Sequence, residues 1–268
     1  MRRNRRSANG VLLPLLGLLT GCAALGHRED AVTLFSRALA VDTAEASGPD
    51  LVRAALDYAR AAELGHPGAA NNLGLLFHAG RGVAQDHAEA RRWFDRAVAA
   101  GFAGANVNLG VMAFYGQGGS RDLDRARDLL ATAASAGDLR AVTLLGSWDY
   151  EGAGGSAIDR AAAARWYTVA AEHGVVVAQH RLGRMLLAGD GVEADPVEGM
   201  HWLRAAAEAG DAAAQRELAR CLQRGDGGSA DPEGARAWLA REASGGDRAA
   251  QDLLTGLGAP AATPPSRD

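Results

Sequence analysis

"AQHRLGRMLLAGDGVEADPVEGMHWLRAAAEAG", residues Ala178 to Gly210, decides the fold. Taken alone, its middle offers two readings, a ligand loop or a piece of architecture. Gly189, Asp190 and Gly191 with Glu193 and Asp195 suit a cation or phosphate site, because glycines bring backbone close to a ligand and carboxylates bind hard cations. The spacing fits neither. A calcium loop alternates acidic ligands from its first position and closes on a glutamate, whereas a phosphate loop needs Gly-x-x-x-x-Gly-Lys followed by Ser or Thr. The chain contains no lysine.

Repetition settles the choice. Copies of the same stretch end at Gly65, Gly101, Gly137, Gly174, Gly210 and Gly246, so the steps are 36 residues with a single one of 37. Four residues after each anchor stands alanine (Ala69, Ala105, Ala141, Ala178, Ala214, Ala250), and eight after it leucine (Leu73, Leu109, Leu145, Leu182, Leu218, Leu254). With Leu76, Met112, Trp148, Met185 and Cys221 these form one apolar face at helical spacing, here helix A. Gly74, Gly110, Gly146 and Gly183 follow the leucine and let another helix approach closely. The later pairs, such as Gly189 and Gly191, supply the left-handed conformations that end helix A and turn the chain.

The next recurring residue, Asp86, Asp122, Asp159, Asp195 or Asp231, reads as an N-cap. Pro196 and Pro232 suit the first helical position, and Glu89 and Glu198 complete a capping-box pattern. Helix B then carries a large pair: Trp93-Phe94, Leu129-Leu130, Trp166-Tyr167, Trp202-Leu203 and Trp238-Leu239. Ala97, Ala133, Ala170 and Ala206 follow a turn later, giving the large-small interlock of antiparallel helices, with the tryptophans expected in the core.

These residues resemble the Sel-like repeat family, relatives of the tetratricopeptide repeat with a longer period, over roughly Leu51 to Gly256. The resemblance implies an all-α fold, a right-handed α-solenoid of antiparallel helix pairs. Leu129-Leu130, where the family favours an aromatic, and one extra residue near Ser156-Ala157 are departures that leave the array intact. Five full repeats and a C-terminal capping helix are expected over 65–257, after a degenerate capping repeat over 30–64 and before a disordered tail over 258–268. With 48% apolar residues in 268, the chain is expected to form one elongated array.

The N-terminus is of another kind. "MRRNRR" is a basic region, "VLLPLLGLL" an apolar run of signal-peptide length, and Leu19-Thr20-Gly21-Cys22 resembles the lipobox of bacterial lipoproteins. Residues 1–21 are therefore expected to be removed, Cys22 acylated, and 22–29 to serve as a lipidated tether. Ala23 is not the aspartate tied to inner-membrane retention, which favours the outer membrane, facing the periplasm. Processing would move the net charge from -4 to about -8, which argues against nucleic acid and leaves membrane attachment to lipid.

Reactive constellations are missing from the pattern. The histidines, His27, His66, His78, His87, His173, His180 and His201, form no HExxH or His/Cys cluster, and Cys221 falls on the apolar face of helix A. No Gly-x-Ser-x-Gly elbow occurs. The expectation is a protein without enzymatic activity, catalytic residues, metal or cofactor. What varies between copies is the outer face of helix A: Asn71, Asn72 and His78; Asn108 and Tyr115; Asp149 and Tyr150; His180, Arg181 and Arg184; Arg216, Glu217 and Arg220. With helix A facing inward, the first groups would bind neutral or aromatic groups and the last two an acidic segment of a partner. The resulting expectation is an envelope scaffold that binds another protein or peptide, as in polysaccharide export or sensor regulation. Two alternatives are glycan or peptidoglycan binding through Tyr115, Trp148 and Tyr150, and a hydrolase built from scattered carboxylates.

Overall fold

A computed structural model describes residues 29–256. The signal segment, Cys22, nearly all of the tether and the tail over 258–268 lie outside the described residues. Within them the secondary structure is helical, without a strand. Helices α1 (Ala31–Val41) and α2 (Gly48–Glu63) precede five pairs: α3 (Pro67–Ala79) with α4 (His87–Ala99), α5 (Ala105–Tyr115) with α6 (Leu123–Ser135), α7 (Leu139–Glu151) with α8 (Arg160–Glu172), α9 (Val176–Ala188) with α10 (Pro196–Glu208), and α11 (Ala212–Arg224) with α12 (Pro232–Ser244). A final helix, α13 (Arg248–Gly256), ends the described array. Each helix packs chiefly on its chain neighbours, the contact pattern of an α-solenoid.

Within a pair, the contact forms where helix A is smallest. A Cβ added to Gly183 would lie 2.9 Å from the Gly199 carbonyl oxygen, and one added to Gly74 would lie 2.7 Å from the Phe94 ring. Ala69, Ala105, Ala141, Ala178, Ala214 and Ala250 are all fully buried beside these sites. Helix B answers with the second member of its large pair: Phe94, Leu130, Tyr167, Leu203 and Leu239 are buried. The first members, including all four helix-B tryptophans, are only half-buried, which corrects the expectation that the tryptophans form the core. Neighbouring helical residues point about 100° apart, so one of the two must sit at the rim. There the indole keeps a polar partner: the Trp166 N–H donates to Asp149 at 3.1 Å and that of Trp202 to Glu198 at 3.3 Å.

The aspartates cap as expected. Asp86 accepts from the amides of Ala88 and Glu89 at 2.9 and 3.0 Å, and Asp195 from Glu198 at 3.0 Å. The reciprocal half of the capping box does not form. The Asp86 amide donates instead to the Phe77 carbonyl at 3.0 Å and that of Asp195 to Leu186 at 2.9 Å, while Glu89 pairs with Arg92 and Glu198 holds Trp202. Equivalent bonds run from Asp122 to Ala113, Asp159 to Asp149 and Asp231 to Leu222. One residue thus starts helix B with its side chain and ties it to the end of helix A with its amide.

The second glycine of each pair does more than turn the chain. Gly191 has φ 78°, and a Cβ there would lie 2.5 Å from the carbonyl carbon of Arg160, the first residue of the preceding helix B. Gly118 approaches His87 in the same way. The turn of one repeat therefore rests on the start of α8 or α4 in the repeat before. Gly174 shares a left-handed φ of 77° but has open space around it. Replacing Gly174 by alanine should lower stability by about 1–2 kcal/mol, the left-handed strain alone. Gly191→Ala should cost distinctly more in urea unfolding; equal losses would reject the inter-repeat contact.

Candidate functional site

The A helices α3, α5, α7, α9 and α11 lie side by side and touch through long polar side chains. His78 Nε2 meets the Gln117 amide oxygen at 3.0 Å, Asn108 donates to Asn71 at 2.9 Å, and the Tyr150 hydroxyl donates to Asp190 at 3.1 Å. The row is a continuous surface on which the repeats differ, and its two halves differ in chemistry.

In the first half the expected binding residues fall into two groups. Asn71 is buried; its amide donates to Asn72 at 3.2 Å, Asn72 donates to the Tyr58 hydroxyl at 3.1 Å, and Tyr58 to Asp42 at 3.2 Å. Arg81 faces Asp42 at 3.1 Å. Burial pushes the Tyr58 hydroxyl up to about 12. Asn71, Asn72 and Asn108 therefore join α2 to the first two repeats, and Asn71 is withdrawn from solvent. Tyr115 is the opposite case, 68% exposed. Its ring packs edge-on against Phe114 at 5.0 Å, and Phe114 stacks on Trp148 of the next repeat at 4.4 Å. Trp148 is half-buried, so an aromatic strip remains on the surface.

The second half is ionic. Asp149, read as a surface position, is buried between Arg127 at 2.7 Å and the Trp166 indole. Tyr150 lies between the guanidinium groups of Arg160 and Arg181, at 5.0 and 5.7 Å from its ring. His180 stands between Asp211 at 3.3 Å and Glu217 at 3.2 Å. Arg184 faces Glu217 at 3.3 Å, Arg181 faces Glu151 at 3.9 Å, and Arg216 pairs with Glu242 at 2.6 Å and Asp247 at 2.8 Å. Arg220 is exposed beside Glu217. The arginine-rich end that the sequence reserves for an acidic segment is thus largely matched by the chain's own carboxylates. Burial opposes the charge on Glu217, yet His180 and Arg184 hold its carboxyl below the usual range.

Between α7, α9 and α11 opens a cleft of about 520 Å³ lined by Tyr150, Arg184, Leu187, Glu217 and Arg224 among others. Among the described residues no three His, Cys, Asp or Glu side chains gather as metal ligands. Nearby Cys221 is buried, and burial pushes its thiol up to about 12, far from a thiolate at neutral pH. The site offers donors, acceptors and aromatic faces rather than an activated nucleophile. Sequence reasoning missed Phe114, Asp190 and Arg160. A signal existed: the residue thirteen past one anchor meets the residue sixteen past the next, as His78 meets Gln117 and Tyr150 meets Asp190.

Two measurements check these assignments. Raising ionic strength from about 0.01 to about 1 M shortens the screening length from roughly 30 to 3 Å. Amide exchange should quicken in α9 to α13 and stay unchanged in α3 and α5; a uniform response would contradict the division. In a Cys22→Ala chain, the remaining Cys221 thiol should resist a disulfide reagent at mildly alkaline pH and react fully in urea.

Comparison with known proteins follows this geometry. The Sel1 repeat matches residues 67–102, 103–138, 140–175, 176–211 and 212–247. A protective antigen present in uropathogenic Escherichia coli strains, displaying an SLR fold, is 31% identical with a TM-score of 0.77 over 85% of this chain; the chain spans 50% of that protein's length. A Sel1 repeat protein from Oxalobacter formigenes is 29% identical with a TM-score of 0.70, over 86% of this chain and 90% of the other. An immunity protein from Pseudomonas aeruginosa, 20% identical over 89% of this chain and 85% of its own with a TM-score of 0.50, shares the fold alone. No curated protein matches the chain. Five matched repeats, each coinciding with a helix pair whose glycines, aspartate and alanines hold the positions described above, establish that the chain belongs to the Sel1 repeat family.

Proposed function

We propose that this protein is a lipid-anchored scaffold of the cell envelope, attached through Cys22 to the outer membrane and facing the periplasm, whose A-helix row docks another envelope protein or a peptide segment of one. The observation that carries the reading is the row itself: a continuous surface over α3 to α11, built from repeated helix pairs and different in side chains from one repeat to the next. A solenoid presents such a surface without an enclosed pocket, which suits recognition of a long partner better than chemistry on a small substrate. In this reading the scaffold acts by binding, without enzymatic activity, cofactor or metal; the burial of Cys221 and the pairing of Glu217 and Glu242 with arginines support it.

The envelope setting rests on "VLLPLLGLL" and the Leu19 to Cys22 box, with the acidic balance of the processed chain disfavouring nucleic acid. No helix among the described residues is long and apolar enough to cross a membrane, and attachment in this reading is by acyl chains.

In-cell crosslinking followed by capture from detergent-solubilised envelopes tests both parts. The wild type should recover one dominant protein, and Arg181→Glu/Arg184→Glu should lose it while Cys22→Ala releases the scaffold from the membrane fraction. Recovery of lipid or glycan alone by every variant would reject the protein-docking role. Membrane retention of Cys22→Ala would reject the anchor.

A further inference from the structure

The residue before each helix-B cap changes from repeat to repeat: Gln85, Arg121, Ile158, Ala194 and Ala230. It sits where the A-helix row meets the turn. Gln85 donates to the His78 carbonyl at 2.9 Å and Arg121 Nε to that of Phe114 at 3.0 Å, so both side chains lie back over the last turn of helix A. The Arg121 guanidinium also stands 5.4 Å from the centre of the Phe114 ring. Ile158, in the same place one repeat on, is 57% exposed, and Tyr115 beside Phe114 is exposed further still. These side chains form one patch. A Cβ added to Gly154 would lie 2.9 Å from Arg121 Nη2, and one added to Gly152 would lie 2.8 Å from Ile158 Cγ1, so the turn after α7 joins the cation to the aliphatic chain. In the turn after α5, Gly119 leaves no room for a Cβ beside Arg91 Nη1, which reaches it from α4. Two guanidinium groups thus border one turn.

Neither has an anion of its own. Among the described residues no carboxylate pairs with Arg91 or Arg121. Asp122, next to Arg121 in the chain, is turned to α6, where it accepts from the Arg125 amide at 3.0 Å. Elsewhere along the row the chain matches its own charges: Arg81 faces Asp42, Arg160 meets Asp190 at 2.9 Å, Arg184 faces Glu217, and Arg216 pairs with Glu242. Arg121 is exposed and Arg91 half-buried. A weakly hydrated guanidinium beside an aromatic ring takes a carboxylate through two parallel bonds. The Nε bond to Phe114 and the ring beside it hold the Arg121 fork in place, which lowers the ordering cost of binding.

We propose that Arg91 and Arg121 receive an acidic segment of the docked partner protein, with a large apolar side chain of that segment laid on Tyr115 and Ile158. This deepens the scaffold reading and rests on the A-helix row being the docking face. It moves the acidic contact from the arginine-rich end over α9 and α11, where the sequence places it, to the middle of the row. The reason is charge matching. An arginine that already has a carboxylate must give up that pair before it binds an incoming one, whereas an unmatched arginine gains the charge-assisted bond outright.

The test uses the full chain, as Cys22→Ala, and a short fluorescent peptide in which two adjacent aspartates are flanked by phenylalanine and leucine. Fluorescence anisotropy should show binding that weakens about tenfold or more when asparagine replaces the aspartates. Arg91→Glu/Arg121→Glu should lose the aspartate peptide and take up its lysine counterpart, and Tyr115→Ala should weaken the aspartate peptide severalfold. Arg204→Glu, the same charge change at an exposed position of α10, should alter neither. Equal binding of the aspartate and asparagine peptides, or unchanged binding by the charge-reversed chain, would overturn the proposal. If the double reversal lowers the melting temperature, Arg121→Gln decides: a severalfold loss supports the contact and parental affinity rejects it. Binding of a neutral oligosaccharide without binding of the peptide would also reject it and assign the patch to glycan. Envelope capture separates the two levels: a partner recovered equally by the parent chain and by Arg91→Glu/Arg121→Glu rejects only the acidic contact, whereas no protein recovered by any chain rejects the docking face.

Discussion

The close approach of helix B to helix A at a residue without a side chain is the contact on which the rest of the structure depends. At Gly183 there is no room for a methyl group beside the Gly199 carbonyl and Leu203. A helix pair drawn that near excludes water from a short face and buries alanine as effectively as leucine, so a chain with few aromatics still makes a dry core. The aspartate amide bond to the end of helix A then fixes the angle at which helix B leaves. Repeated at Gly74, Gly110, Gly146 and Gly183, with the small Ala219 at the same position in the fifth pair, a local contact becomes an extended object with a long surface.

What joins one repeat to the next is chemically separate from what builds each pair. Glycine backbone against the start of the preceding helix B supplies a joint of the same shape throughout, as at Gly118 and Gly191. Over it lies a second layer that changes along the molecule, from amide and aromatic contacts around Asn71, His78 and Phe114 to ion pairs around Asp190, Glu217 and Glu242. In a quasi-one-dimensional protein each joint is felt mainly by its neighbours. The two ends can therefore differ in flexibility and in response to salt while sharing one backbone, and a partner lying along the row meets different chemistry at each end.

Much of the fold was legible because period, glycine spacing and N-cap chemistry are local properties. Ala178, Leu182, Gly183 and Asp195 announce their roles within a few residues of one another, and their recurrence removes the ambiguity of a single copy. The candidate site was legible only as a list of variable positions. Asn71 looked like surface and is buried, Asp149 likewise, and the helix-B tryptophans looked like core and lie at its rim. Each misreading has the same origin: the face of a helix that meets its own partner is visible in the sequence, but the face that meets the next repeat is set by the turn between repeats.

From the amino-acid order alone came the all-helical class, the period, the pairing of helices and the residues that cap and end them, because these depend on contacts within one repeat and on backbone conformations particular to glycine and aspartate. The tertiary structure alone decided which outer residues stand free. It placed Tyr115 in solvent on Phe114 and Trp148, drew Asn71 into the network reaching Tyr58 and Asp42, and matched Arg184 and Arg216 with carboxylates of the following helices. The reason is geometric: those partners lie far apart in the chain, and only the packing of one repeat against another brings their charges and rings within reach.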